Sequence, residues 1–291
     1  MIPALRTTLS VLTLKLQKNW AQFSLYMLFA LMIGFGVDLF LPEQVDWVRT
    51  YRPATIALIT GQSPYDASPY YSPPWTLFPL IPMALLPSKI GGALLFVLSA
   101  GLFVYMALRM KATKMSAIAF FLSFPVLFCL LFGQIDALVL LGFFLPAPVG
   151  LFLLLGKPQI SLAGVLFFAY QAWRKGGLRE LVRVFLPVTL AMGISILIYG
   201  PWFINHRFNF YDALYNMSLS PISIPVGLVI LFFALRKNRQ PLSMLSSPFF
   251  SPYVPPHSWS GALLSLLPYQ WLSVGACLFS YVMLWIGFMR Q

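Results

Sequence analysis

Charge is scarce in this chain. Asp, Glu, Lys and Arg together make up 9% of its 291 residues, against roughly 25% in soluble domains. So few charges cannot cover a soluble domain. Cysteine is almost absent too, with two residues. Cys129 and Cys277 fall inside apolar runs with no ligand spacing, which excludes a disulfide framework or a thiolate metal site as the organising principle. No D-x-D pair occurs, so neither a divalent metal nor any other cofactor is expected. Internal repeats, low-complexity linkers and a soluble domain are also missing.

What fills the chain is apolar. Hydrophobic residues make up 59% and the mean hydropathy is +0.82. The apolar runs are continuous rather than alternating, which argues for helices over a β-barrel. In lipid every backbone polar group needs an internal partner. The expected fold is therefore all-α, a polytopic integral membrane protein with about ten to eleven membrane segments in one transmembrane domain, residues 1–291.

The net charge of +12 does not point to nucleic acid, because of where it lies. Most basic residues sit in four short groups between apolar runs: Arg6/Lys15/Lys18, Arg109/Lys111/Lys114, Arg174/Lys175/Arg179/Arg183 and Arg236/Lys237/Arg239. These read as cytoplasmic loops under the positive-inside rule. Only one acid, Glu180, shares them. The expected localisation is the plasma membrane, with the N-terminus cytoplasmic. Residues 1–19 read as an interfacial cytoplasmic helix, not a signal peptide. Trp20–Leu41 then makes the first span, and residues 42–75 form an outer loop holding one short helix, Tyr51–Thr60, ended by Gly61.

Residues 74–87, broken by Pro79, Pro82 and Pro87, read as a partly inserted segment. Ile90–Leu108 is a full span and Ser116–Phe132 returns. The runs 137–146 and 148–155 form a tight hairpin around Pro146-Ala147-Pro148. Ile160–Trp173 and Val184–Tyr199 cross in opposite directions around the Arg174-Lys175-Gly176-Gly177 loop. Ile222–Leu235, Pro241–Phe250 and residues 260–289 supply the remaining segments.

This topology gathers the remaining polar groups at the outer ends: Asp38, Glu43, Asp46, Arg49, Arg52, Tyr65, Asp66, Gln134, Asp136, Lys157, Gln159, His206, Arg207 and His257. Ionisable groups at membrane depth are costly and point to function. Carboxylates and cations beside a bilayer suit a reaction between a polar acceptor and a charged lipid headgroup.

Their order carries a resemblance. Asp46-Trp47, Tyr51, Ala54, Gly61 and Pro64-Tyr65-Asp66 are followed by Tyr71-Ser72-Pro73-Pro74 and by Pro82 to Pro87 with Leu85-Leu86 between. Gly133-Gln134, Gly156-Lys157-Pro158-Gln159, Ser247-Pro248, Tyr253 and His257 come later. From about residue 20 to 270 the chain resembles glycosyltransferase family 87 of the polytopic C superfamily, polyprenyl-phosphate-mannose-dependent mannosyltransferases and their relatives. Pro53 departs from the family pattern, where a small helix former is usual.

The resemblance implies an inverting hexosyltransferase, with a polyprenyl-phosphate sugar as donor and a glycan, lipid or protein as acceptor. It places the general base at Asp46. Asp46 has a second reading, as a helix cap or a partner of Arg49 or Arg52. Asp38 is a second carboxylate or the partner of an arginine. A phosphate leaving group calls for cations. Lys157, Arg207 with His206, and His257 are the candidates, Lys157 alternatively being a snorkelling lysine. Gln134 and Asp136 are expected at the sugar or acceptor, or else as a cap of the following helix. Tyr65 and Asp66 join them, and Tyr65, Tyr70, Tyr71 and Trp75 either stack on sugar or form an interfacial belt. A non-catalytic subunit of a larger membrane complex on a glycosyltransferase-like scaffold is the alternative function. A transporter is a third, against which stands the lack of an inverted repeat.

Overall fold

The computed structural model describes Gly36, residues 42–205 and residues 216–289. The expected interfacial helix, all of the expected first span but Gly36, and Asp38, His206, Arg207 and Asp212 lie outside the described residues. The described chain is helical, with no strand among the described residues. Two helices, Ser88–Arg109 and Pro158–Tyr199, are long and apolar enough to cross a membrane. A third span results if Lys114–Leu122 and Phe124–Phe132 are taken together.

That pair is bent by 57°, where the apolar pattern suggests one straight crossing. Pro125 supplies the reason. Its ring would clash with the carbonyl four residues earlier and it donates no hydrogen bond, so the helix stops and restarts at Ser123, whose ψ is 143°. The last long helix, Gln270–Met289, lies against this bend. Ser280 Oγ accepts from the Phe124 amide at 3.1 Å, and the Tyr281 hydroxyl donates to the Leu122 carbonyl at 2.6 Å.

Pro158–Tyr199 is two helices. Gly176 and Gly177 have non-helical torsions, with Gly177 at φ 58°, a conformation open chiefly to glycine. A straight helix of 42 residues would span about 63 Å. Yet Lys157, just before it, and Phe203, just after it, line the same cavity. The chain therefore reverses at Gly176-Gly177. The limbs, 158–175 and 178–199, are about 27 and 33 Å long, close to the ~30 Å hydrocarbon thickness.

The expected hairpin is present. Asp136–Leu141 continues into a 3-10 turn, Gly142–Phe144, and Ala147–Leu154 returns. Its arms are far too short to span, so they depend on being enclosed by protein. Leu140, Leu151 and Leu154 are fully buried. The arms touch backbone to backbone: a Cβ on Gly150 would lie 2.2 Å from the Gly142 carbonyl oxygen. This tight return brings Lys157 back beside Gln134 and Asp136.

Residues 74–87 form no helix long enough to cross a membrane. A 3-10 segment, Pro74–Leu80, runs into one helical turn, Ile81–Ala84. Trp75, Leu77 and Leu80 face inward, while Phe78 and Leu85 are exposed. Trp75 Nε1 donates to the Phe152 carbonyl at 2.8 Å, pinning the segment to the hairpin.

The hairpin tip marks the end opposite Lys157. The Phe144 ring meets Tyr105, one turn before Arg109. The Phe143 carbonyl accepts from Gln240. Pro146 and Pro148 share a cavity with Arg174, Lys175, Arg183 and Asn238. Three basic loops thus meet at this end, as their spacing between apolar runs suggests.

Gly150→Val should destabilise the protein by about 1–3 kcal/mol through overpacking, read as a lowered thermal midpoint in detergent. The same change at Gly193, whose Cβ position is open, should cost less.

Candidate functional site

The site begins in an irregular turn. Residues Trp47–Tyr51 form a π-helical turn leading directly into the Arg52–Ile59 helix. Pro53 accounts for the widening: in a regular helix its ring would strike the Arg49 carbonyl. The consequence is functional geometry. In a π turn residues five apart pair, so Asp46 and Tyr51 share a face, whereas α-helical spacing would separate them. Trp47 anchors the turn. It is fully buried, and its indole Nε1 donates to the Ser88 carbonyl at 2.9 Å.

Gln134 follows the helix Phe124–Phe132 through Gly133, which ends that helix at φ 73°. A Cβ there would lie 2.8 Å from Trp47 Cβ, so glycine is required by both torsion and space. Gln134 Nε2 donates to Asp46 Oδ2 at 2.5 Å. Its Oε1 accepts from the Tyr51 hydroxyl at 2.9 Å and from Lys157 Nζ. Two donors on one side and a carboxylate on the other leave a single workable amide orientation.

Lys157 caps the start of the Pro158 limb in extended conformation. Its ammonium pairs with Asp136 Oδ1 at 2.6 Å and stands over the Tyr51 ring at 5.9 Å. Asp136 Oδ2 meets His257 Nδ1 at 2.5 Å. His257 is carried by the 3-10 turn Pro256–Trp259. Asp136 is fully buried, and Lys157 and His257 are nearly so. Asp136 lies outside the candidate spans. Burial opposes its ionisation, but the neighbouring His257 and Lys157 overcome this and hold the carboxyl well below the ordinary carboxylate range.

The result is one chain of contacts, Asp46–Gln134–Lys157–Asp136–His257, along the wall and floor of a cavity of about 400 Å³. Asp46, Gln134, Lys157 and His257 line it, with Tyr51, Tyr70, Tyr71 and Tyr253 supplying aromatic wall. Asp46 is half-buried. It makes no side-chain cap and pairs with no arginine among the described residues; Arg52 instead donates to the Leu86 carbonyl. Asp136 does not cap its helix either, since Ile135 occupies that position. Lys157 is 5% exposed and ion-paired, which is not how a snorkelling lysine sits.

Tyr65 and Asp66 fall elsewhere. Tyr65 is buried behind the cavity wall, stacked on Trp202 at 5.0 Å and on Tyr70 at 5.7 Å. Its hydroxyl donates to the Ser72 carbonyl at 3.1 Å. It buttresses Tyr70 and does not reach the cavity. Asp66 is exposed and is not part of the lining. The Pro64 turn thus sets both residues, expected at the sugar or acceptor, outside the cavity lining. Arg207 lies outside the described residues. Conversely Tyr51, Thr50, Phe203 and Ser251 line the cavity without having been marked by the sequence as site residues. For Tyr51 the signal was its place five residues after Asp46, which only the π turn converts to proximity. No group of three or more potential metal ligands gathers among the described residues.

No family model matches the chain, and no significant match appears among curated proteins or solved structures.

Lys157→Ala should leave the buried Asp136 without its lysine partner and destabilise the protein by about 3–5 kcal/mol. Asp136→Asn combined with Lys157→Met should recover a substantial part of that loss. Thermal unfolding of the three variants measures both effects.

Proposed function

We propose that the chain is a membrane glycosyltransferase of the C-superfamily type, similar to family 87. It transfers a hexose, mannose by preference, from a polyprenyl phosphate to an acceptor hydroxyl. The cavity opens at the outer face of a plasma membrane, with the basic loops and the N-terminus on the cytoplasmic side. The observation that carries this reading is the linked set Asp46–Gln134–Lys157–Asp136–His257 around one cavity, at the end of the helices away from the basic loops. A half-buried carboxylate held by Gln134 and a buried cation face the same space, an arrangement suited to displacement at a sugar carbon bearing a phosphate.

In this reaction Asp46 takes the proton from the acceptor hydroxyl. The acceptor oxygen attacks the anomeric carbon from the face opposite the phosphate. The bond from that carbon to the phosphate oxygen breaks, and the electron pair leaves with the lipid phosphate. Lys157 and His257 stabilise the developing charge on the leaving group. Gln134 holds Asp46 in place and, with Asp136, keeps Lys157 directed at the cavity. Tyr71 provides an aromatic face for the sugar, backed by the buried Tyr70. Arg207 is a further cation for the phosphate in this reading. The acceptor is a glycan, a lipid or a protein.

The second reading is a non-catalytic subunit of a membrane complex. Its support is that Lys157 and His257 both pair with the buried Asp136, as members of a purely structural cluster would.

With a radiolabelled polyprenyl-phosphate mannose, Asp46→Asn should lower transfer by about 10²- to 10⁴-fold without lowering thermal stability, and the product should have inverted configuration. Unchanged transfer in Asp46→Asn, or a retained configuration, would remove Asp46 as the base. A stoichiometric partner co-purifying without lipid phosphate would favour the subunit.

A further inference from the structure

The second large cavity lies at the opposite end of the molecule and has a different chemistry. It encloses about 730 Å³ beside the Gly176-Gly177 reversal, where two apolar limbs meet. Arg174, Lys175 and Arg183 stand around it, with Glu180 as the lone carboxylate among its lining residues. Glu180 pairs with Lys175 at 3.4 Å and Arg183 at 3.7 Å. The two cations remain 77% and 79% exposed. Pairs so long and so open are worth little, so the cavity keeps an excess of two positive charges available to an anion. Asn238, between Lys237 and Arg239, closes the rim.

The surroundings choose among anions. Phe168, Ala172 and Val184 give the cavity an apolar wall. Trp173 and Leu178, on either side of the basic loop, are 56% and 65% exposed. Tryptophan at such a level is typical of the membrane–water interface, and basic pockets between membrane helices suit anionic headgroups. A soluble phosphate would use the cations and leave the apolar wall unused. A phospholipid uses both.

We propose that this cleft binds the phosphodiester headgroup of an anionic glycerophospholipid in the leaflet on the basic side. Arg174, Lys175 and Arg183 hold the phosphate, and the first acyl methylenes lie along Phe168 and Val184. The inference is independent of any transfer activity at the other end.

The test uses the full chain in nanodiscs of equal phosphatidylglycerol and phosphatidylcholine, with native mass spectrometry of the lipid retained on release. Wild type should retain phosphatidylglycerol in preference. R174Q/K175Q/R183Q should lose about tenfold of that preference. R109Q/K111N/K114Q, which removes the same charge from a loop not lining the cleft, should keep it, and millimolar inorganic phosphate should not displace the lipid. No preference in wild type, an unchanged preference in the cleft variant, or an equal loss in the control variant would overturn the proposal. Displacement by inorganic phosphate would overturn the lipid assignment.

Discussion

The buried pair between Lys157 and Asp136 sets the terms for the structure around it. An ammonium and a carboxylate removed from water cost several kcal/mol each, and attraction offsets this only with good geometry and further hydrogen bonds. Here Gln134 accepts from Lys157, and His257 meets the second carboxylate oxygen of Asp136. Four segments far apart in sequence must therefore be delivered to one point. The turn at Asp46, the loop at Gln134, the limb starting at Lys157 and the turn at His257 all meet there.

Backbone irregularities perform that delivery. The left-handed Gly133 places Gln134 against Trp47. The hairpin closes tightly because Gly142 and Gly150 have no side chains to separate its arms. Gly176 and Gly177 turn the long helix back so that Phe203 rejoins the cavity beside Lys157. The π turn aligns Asp46 with Tyr51. Each is a departure from regular helix, and three of the four rely on glycine. The same reversal that builds the upper cavity leaves a basic, apolar-walled cleft at the other end, so the two features share a cause.

Much of the arrangement was legible beforehand. Continuous apolar runs separated by basic groups implied helices with their cations at one end, and Pro146-Ala147-Pro148 implied the hairpin. Asp46, Gln134, Asp136, Lys157 and His257 stood out because polar groups are rare in such a chain. Local signals failed where contacts between segments decide. Tyr65 and Asp66 sit close to Asp46 in sequence, but Trp202 captures the Tyr65 ring and Asp66 remains in solvent. Pro125 bends what hydropathy alone presents as one crossing. The 74–87 run is apolar on average, yet its prolines shorten it and Trp75 ties it to Phe152.

By itself the sequence determined the helical class, the apolar environment it needs and the few residues able to do ionic chemistry, because composition and periodicity are local properties. Only the tertiary structure decided which of those residues meet. The bond from Gln134 to Asp46 bridges 88 positions, and the contact of Asp136 with His257 bridges 121. Pairings at that range depend on how whole helices reverse and pack, which no single stretch encodes.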